Sequence, residues 1–472
     1  MMAIIATMAT GCINDDISTS SSDVLAFSTD TVAFDTVITA QSTPTKQFMV
    51  YNRSKKKIVI SSISIAGNSK GKFYINVDGL KGTEFHNIEV RGQDSIYVFV
   101  ESNIDVTGSN DPIEANDRID FVTNGVTQSV VLSAWGQDVN IIHGDTIKTD
   151  SHLSAGKPYL VYDTLVVAQG ATLTIDPGTT LLFHAKASMK VEGRLLAQGT
   201  QQKPIVLRGD RLDHVVGEIN FDIMSGQWGG VQFGSKSYGN EMAYVEMRGS
   251  TLGVTVNPDT CSQMALHLFN TVLHNSSSSV LTTRNAWVEA EGTELSDAAM
   301  SVASFTGGKV RLTQCTLANY YLFSSISGAI LNLEEQDEAK TYSKLDATID
   351  NCIIYGNASD LNVGDFTGTQ IYLRNCLLKS TGSDDANFIS CVWGGDPLFY
   401  TVREDYVFDY RLHNKSGAIA TGNRSYCPTS ARYDRYGQDR FAREGLDLGA
   451  YVWVESADDD SAKAPARRQA RR

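Results

Sequence analysis

Between residues 165 and 209 apolar side chains alternate with polar ones in short runs, LVV, LTI, LLF, MKV, LLA and IVL. Gly170, Pro177, Gly178, Gly193, Gly199 and Pro204 punctuate them, which predicts short strands and turns and leaves no room for a helix. The phrases GATLTIDPGT, from Gly170, and GRLLAQGT, from Gly193, repeat at an interval of 23 residues. A period of that size built only from short strands predicts a coil whose turns stack on one another.

Further along, LHLFNTVL (266–273), VEAEGTEL (288–295), VRLTQCTL (310–317), ATIDNCII (347–354) and IYLRNCLL (371–378) superimpose without gaps, at offsets of 22, 22, 37 and 24 residues. The polar segment 333–344 supplies the insertion in the third interval. Because strand residues alternate faces, the first, third, sixth and eighth columns of these octads are expected to point inward, with a two-residue corner between. Thr271, Thr293, Cys315, Cys352 and Cys376 then form one internal stack, with the thiols free and acting as small apolar groups. No histidine is in register to make a thiol nucleophile.

The outward second column reads His267, Glu289, Arg311, Thr348, Tyr372, and the fourth Phe269, Glu291, Thr313, Asp350, Arg374. Together they predict a surface strip of carboxylates, arginines and rings. Residues 25–137 carry a different pattern, about seven longer alternating strands with turns roughly every ten residues, among them the hairpin signal Asn124-Gly125. This predicts an immunoglobulin-like β-sandwich.

The phrases VxxGATLTIxPGTxLxF and GxLxAxGTxxxPIxL, with WGGVQF at 228–233, resemble the opening rungs of right-handed β-helix proteins of the pectate-lyase-like class. DPLF (396–399), DYRL (409–412), SGAIA (416–420) and DLGAY (447–451) are similar to the closing rungs of such proteins, with Gly417 at a usual proline. The resemblance implies an all-β chain: an N-terminal immunoglobulin-like β-sandwich (25–137) followed by a right-handed parallel β-helix (150–455). FMVYNRSKKKIVISSISI is similar to hydin-type immunoglobulin-like domains. Residues 1–11 are apolar and uncharged, and with Cys12 they resemble a bacterial lipobox with its signal peptide. The acidic residues that follow resemble those of surface-exported Bacteroidota lipoproteins. That resemblance implies lipidation at Cys12, a polar tether to residue 24, outer-membrane localisation at the cell surface, and a sandwich acting as a spacer. Residues 456–472 read as a disordered tail.

A net charge of −14 argues against a nucleic-acid partner and restricts any contact with an acidic polysaccharide to a local basic patch. The strip allows three functions. The first is a non-catalytic module for carbohydrate binding or for a protein partner, with His267, Tyr372 and Trp393 as glycan contacts. The second is a polysaccharide lyase or glycoside hydrolase using some of Arg311, Arg374, Glu289, Glu291 and Asp350, because removing a proton beside a sugar carboxylate needs neutralising charge and a base. The third is a structural part of an envelope complex. No metal site is assigned and no cofactor is implied; calcium enters only with the lyase reading. Cys391 and Cys427 are placed to pair in an oxidising compartment, an open question, and DRYGQDR (434–440) reads as a structural part of the closing motif.

Overall fold

The computed structural model describes residues 16–67, 72–216, 219–336, 339, 341–362 and 366–456. Their contacts divide the chain into two units, Met1–Val139 and Asn140–Arg472. Cys12 and nearly all of the C-terminal tail lie outside the described residues.

The first unit is a sandwich of two five-stranded sheets. Its strands obey the period of two: Phe73–Val77 buries every second residue, and Phe73, Ile75 and Val77 join Phe48, Ile58 and Phe121 in the core between the sheets. Pairing is antiparallel except between Thr31–Ile38 and Val126–Gln137. Asn124 and Gly125 both have positive φ, 51° and 78°, the mirror-image turn that matches strand twist in a two-residue hairpin.

The second unit is a parallel β-helix of three walls. Rungs stack in register, as Thr172–Ile175 does on Arg194–Gln198, and one continuous apolar file fills the coil from Leu153 to Leu378. The five octads align as expected: Leu266, Val288, Val310, Ala347 and Ile371 are successive partners. Two further rungs obey the same frame, NEMAYVEM (240–247) before them and ANFISCVW (386–393) after them.

The corner explains the fifth and sixth columns. Asn270, Gly292, Gln314, Asn351 and Asn375 all adopt φ between 46° and 59°, a left-handed conformation that Gly and Asn tolerate best. At the sixth column a small donor caps a carbonyl of the preceding rung. Thr271 Oγ1 reaches Met242 O at 2.8 Å, and the thiols of Cys315, Cys376 and Cys391 reach Ala290 O, Ile349 O and Leu373 O at 3.3–3.4 Å. Cys391 thus extends the file of Cys315, Cys352 and Cys376. All six cysteines of the described residues are free, Cys391 and Cys427 included.

After Val392–Trp393 the described residues add no parallel rung. The closing phrases instead form a strap that returns along the outside of the third wall. The fifth-column amides hold it: Asn375 donates to Thr421 O, Asn351 to Asn423 O at 3.0 Å, Gln314 to Asp447 O at 3.1 Å and Asn270 to Tyr433 O at 3.2 Å. The strap covers the seventh column, so Val272, Glu294, Thr316, Ile353 and Leu377 are outward-facing yet buried.

Candidate functional site

The strip exists as a geometric object, since His267, Glu289, Arg311, Thr348 and Tyr372 are neighbours in register, as are Phe269, Glu291, Thr313, Asp350 and Arg374. Its charges, however, are engaged in local structure. Glu289 accepts the Trp287 indole N–H at 2.8 Å, and Glu291 accepts the Ser430 hydroxyl at 2.7 Å. Arg311 turns to the carboxylate and carbonyl of Asp346, 2.8 Å each. Arg374 grips Asp350 through two 2.6 Å bonds and lies 4.0 Å over the Tyr426 ring. Burial raises the Asp350 pKa in spite of that pairing. The His267 ring lies 6.3 Å from that of Phe269, Tyr372 is half-buried, and Trp393 packs on Phe388 at the last rung while donating to Asp384 at 3.0 Å. Among the described residues no three His, Cys, Asp or Glu side chains gather to hold a metal ion.

The structure brings reactive groups together elsewhere, on the outer face of the third wall. Three consecutive rungs contribute. Val245–Arg248 presents Glu246 and Arg248, the next rung Val272 and His274, and the third Glu294 and Ser296, all in register. Inside the coil Trp228 stacks on Phe183 at 4.1 Å and donates its indole N–H to Arg248 O at 2.8 Å, which fixes the first of these rungs. Residues 219–223 border one side. The strap closes the other with Phe408, Tyr410, Arg435, Tyr436 and Tyr451, leaving a cleft of about 410 Å³. None of the eight strip and cap residues expected from the sequence lines it.

Two phenols from the strap meet two acids of the wall. Tyr451 donates to Glu294, which also accepts the Ser296 hydroxyl at 2.6 Å. Tyr410 donates to Asp297 at 2.5 Å, and His274 Nδ1 lies 2.9 Å from Ser296 Oγ and 3.3 Å from Asp297. Burial governs their protonation. It raises Glu294 against the pull of its hydrogen bonds, pushes Asp297 up to about 7 and drives His274 down to about 3. Between about pH 3 and 7 the 3.3 Å His274–Asp297 contact therefore joins two uncharged groups rather than an ion pair.

Glu246 differs from Glu294 in its company. Arg435 reaches it from the strap while donating to Asn270 O at 2.8 Å, and Arg248 approaches it at 3.4 Å. Asp222 lies 3.5 Å from Arg208 and 3.8 Å from Arg248. At the rim Arg411 binds Asp409 and lies 5.4 Å from the rings of both Tyr400 and Tyr436. Gln201 anchors the Tyr436 carbonyl at 2.6 Å. The cleft thus combines four carboxyl groups, two arginines and aromatic rings, with Tyr436 half exposed.

Sequence reasoning set DRYGQDR aside as structural. Asp434 is so, accepting from Tyr436 N and Gln438 N at 2.9 and 2.8 Å, and so is buried Arg440, but Arg435 and Tyr436 between them line the cleft. The available signal was Glu294, which in the five aligned octads is the one charged residue of a column that otherwise reads Val272, Thr316, Ile353 and Leu377.

A 68-residue segment is 40% identical to Protein bark beetle of Drosophila melanogaster, covering 14% of this chain and 2% of that protein, so the chain spans a very small part of that relative. Two solved structures are similar at a TM-score of 0.18. One is the ASH / PapD-like domain of human CEP192, at 8% identity, over 29% of this chain and 95% of that one. The other is a family 123 glycoside hydrolase from Clostridium perfringens, at 7% identity, over 24% of this chain and 25% of that one. Residues 145–265, which include Glu246 and Arg248 of the cleft, match the family described as Pectate-lyase like beta helix domain.

Proposed function

We propose that this protein is a glycan-binding module of the bacterial cell surface, and that its ligand occupies the cleft beneath the strap. The observation that carries this reading is the lining itself. Carboxyl groups able to accept from hydroxyls, guanidiniums able to donate, and the rings of Tyr436 and Phe408 in the lining suit a sugar ring, which is polar at its edge and apolar on its face. Carboxyl groups outnumber guanidiniums among the lining residues, which favours a neutral saccharide over a uronate. The lipidated Cys12, export to the outer membrane of a Bacteroidota cell and a sandwich serving as spacer complete the proposal.

A glycan array followed by calorimetric titration of the full chain tests it. A neutral oligosaccharide is expected to bind, with Tyr436→Ala and Arg435→Met each weakening binding by at least about tenfold, the loss of roughly 1.4 kcal/mol, and Arg311→Ala leaving it unchanged. Silence across the neutral glycans, or equal binding by Tyr436→Ala, would reject the cleft as the site. Palmitate labelling that persists in Cys12→Ala would reject the anchor.

A further inference from the structure

Resting on the reading of the cleft as a saccharide site, we propose that it also hydrolyses a neutral glycoside with inversion at the anomeric carbon, Glu294 donating the proton and Glu246 activating water. Both residues stand in the seventh column, one rung on either side of Val272. Two rungs measure about 9.6 Å along a wall. Inverting hydrolases hold their carboxyl groups about 6.5–9.5 Å apart, leaving room for the water, whereas a nucleophilic pair stands at about 5–5.5 Å. Both side chains leave the same face of the wall, and carboxyl groups that project side by side stay near the backbone spacing, at the upper end of the inverting range. Val272 lines the cleft between them with a small apolar surface and no competing polar group.

The two environments divide the roles. Glu294 is held by Ser296 and Tyr451 in a buried position where the uncharged acid is favoured, which suits a proton donor. Glu246 is accompanied by the positive charges of Arg435 and Arg248. In the reaction the Glu294 proton passes to the glycosidic oxygen as that oxygen's bond to the anomeric carbon breaks. A water on the opposite face forms the new bond to that carbon and gives its proton to Glu246. One water is consumed, an alcohol and a hemiacetal of opposite configuration leave, and solvent returns the proton from Glu246 to Glu294.

The test uses the full chain with neutral oligosaccharides and with 4-nitrophenyl α- and β-glycosides of glucose, galactose, mannose and xylose. Release is read as reducing ends or absorbance, and proton NMR identifies the first anomer formed. Wild type is expected to give the inverted product. Glu294→Gln and Glu246→Gln should each lower kcat/KM on oligosaccharides by about 10²–10⁴ while retaining binding. Glu294→Gln should recover part of its rate on nitrophenyl glycosides, whose leaving group needs little protonation, and Glu246→Gln should not. Retained configuration, or an unchanged rate in Glu294→Gln, overturns the assignment. Binding without release from any substrate overturns the catalysis and leaves the binding site standing, and absence of both overturns the two together. Should Glu294→Gln fail to fold, the anomer formed by wild type and the rate of Glu246→Gln still decide the matter.

Discussion

The hydroxyl of Tyr410 lies 2.5 Å from the carboxyl of Asp297, a residue 113 positions earlier in the chain. The bond joins the strap to the wall at a point fully shielded from water. Removing it leaves a buried acid short of a partner, so Tyr410→Phe is expected to destabilise the second unit by about 1–3 kcal/mol. Urea unfolding followed by tryptophan fluorescence measures this, and a midpoint equal to wild type would show that the bond holds nothing.

The same cluster makes stability depend on pH in two opposing ways. Asp297, raised from 3.8 to about 7, binds more protons folded than unfolded, so its contribution is full below pH 4 and is lost as pH climbs towards 7. His274, lowered from 6.5 to about 3, does the reverse, contributing above pH 6.5 and losing that contribution as pH falls. The two offset each other between about pH 4 and 6.5. Asp297→Asn should therefore make the slope of unfolding free energy against pH more positive than in wild type between pH 4 and 6.5, and His274→Asn should make it more negative. Denaturation curves at three pH values decide, and slope changes of the opposite sign would refute the protonation states given to the cluster.

On the strip, Arg374 pairs with Asp350 and lies over the Tyr426 ring. Arg374→Ala is expected to cost about 1–3 kcal/mol through the carboxylate it leaves behind in a largely buried place. Glycan binding should remain at the wild-type level. Thermal unfolding and titration of the same sample separate the two effects, and lost binding in a variant of normal stability would return the strip to candidacy.

The cysteine file predicts a chemical pattern. Burial raises the Cys352 thiol well above its ordinary range, and Cys315 and Cys376 are equally enclosed, whereas Cys261 is half exposed. Iodoacetamide should label Cys261 readily in the native protein and reach Cys315, Cys352 and Cys376 only after denaturation. Mass spectrometry of the labelled peptides reads the order, and rapid labelling of Cys352 would contradict a closed coil.

Periodicity made the coil legible. A stacked solenoid imposes the same environment at each turn, so five octads that align in letters align in space, down to the left-handed fifth column and the donor at the sixth. The rungs 240–247 and 386–393 were harder to read because Tyr244 and Ser390 stand at a corner that the five octads give to Asn, Gly and Gln, and the last rung begins 15 residues after its predecessor. Glu246 and Glu294 went unread for a related reason. Both point outward on the third wall, while the second and fourth columns on another wall offered more charge to the eye.

What the sequence determined by itself is therefore everything that repeats: two all-β units, the stacked walls, the inward columns and the thiol file. Tertiary structure alone decided which outward face the strap covers. The strap crosses the wall once, in an irregular path, and its contacts join Arg435 to Glu246 and Tyr451 to Glu294 over separations of 189 and 157 residues. Such contacts leave no period in the chain, and they withdraw Glu294 from water, the condition that raises its proton affinity, while closing one side of the cleft.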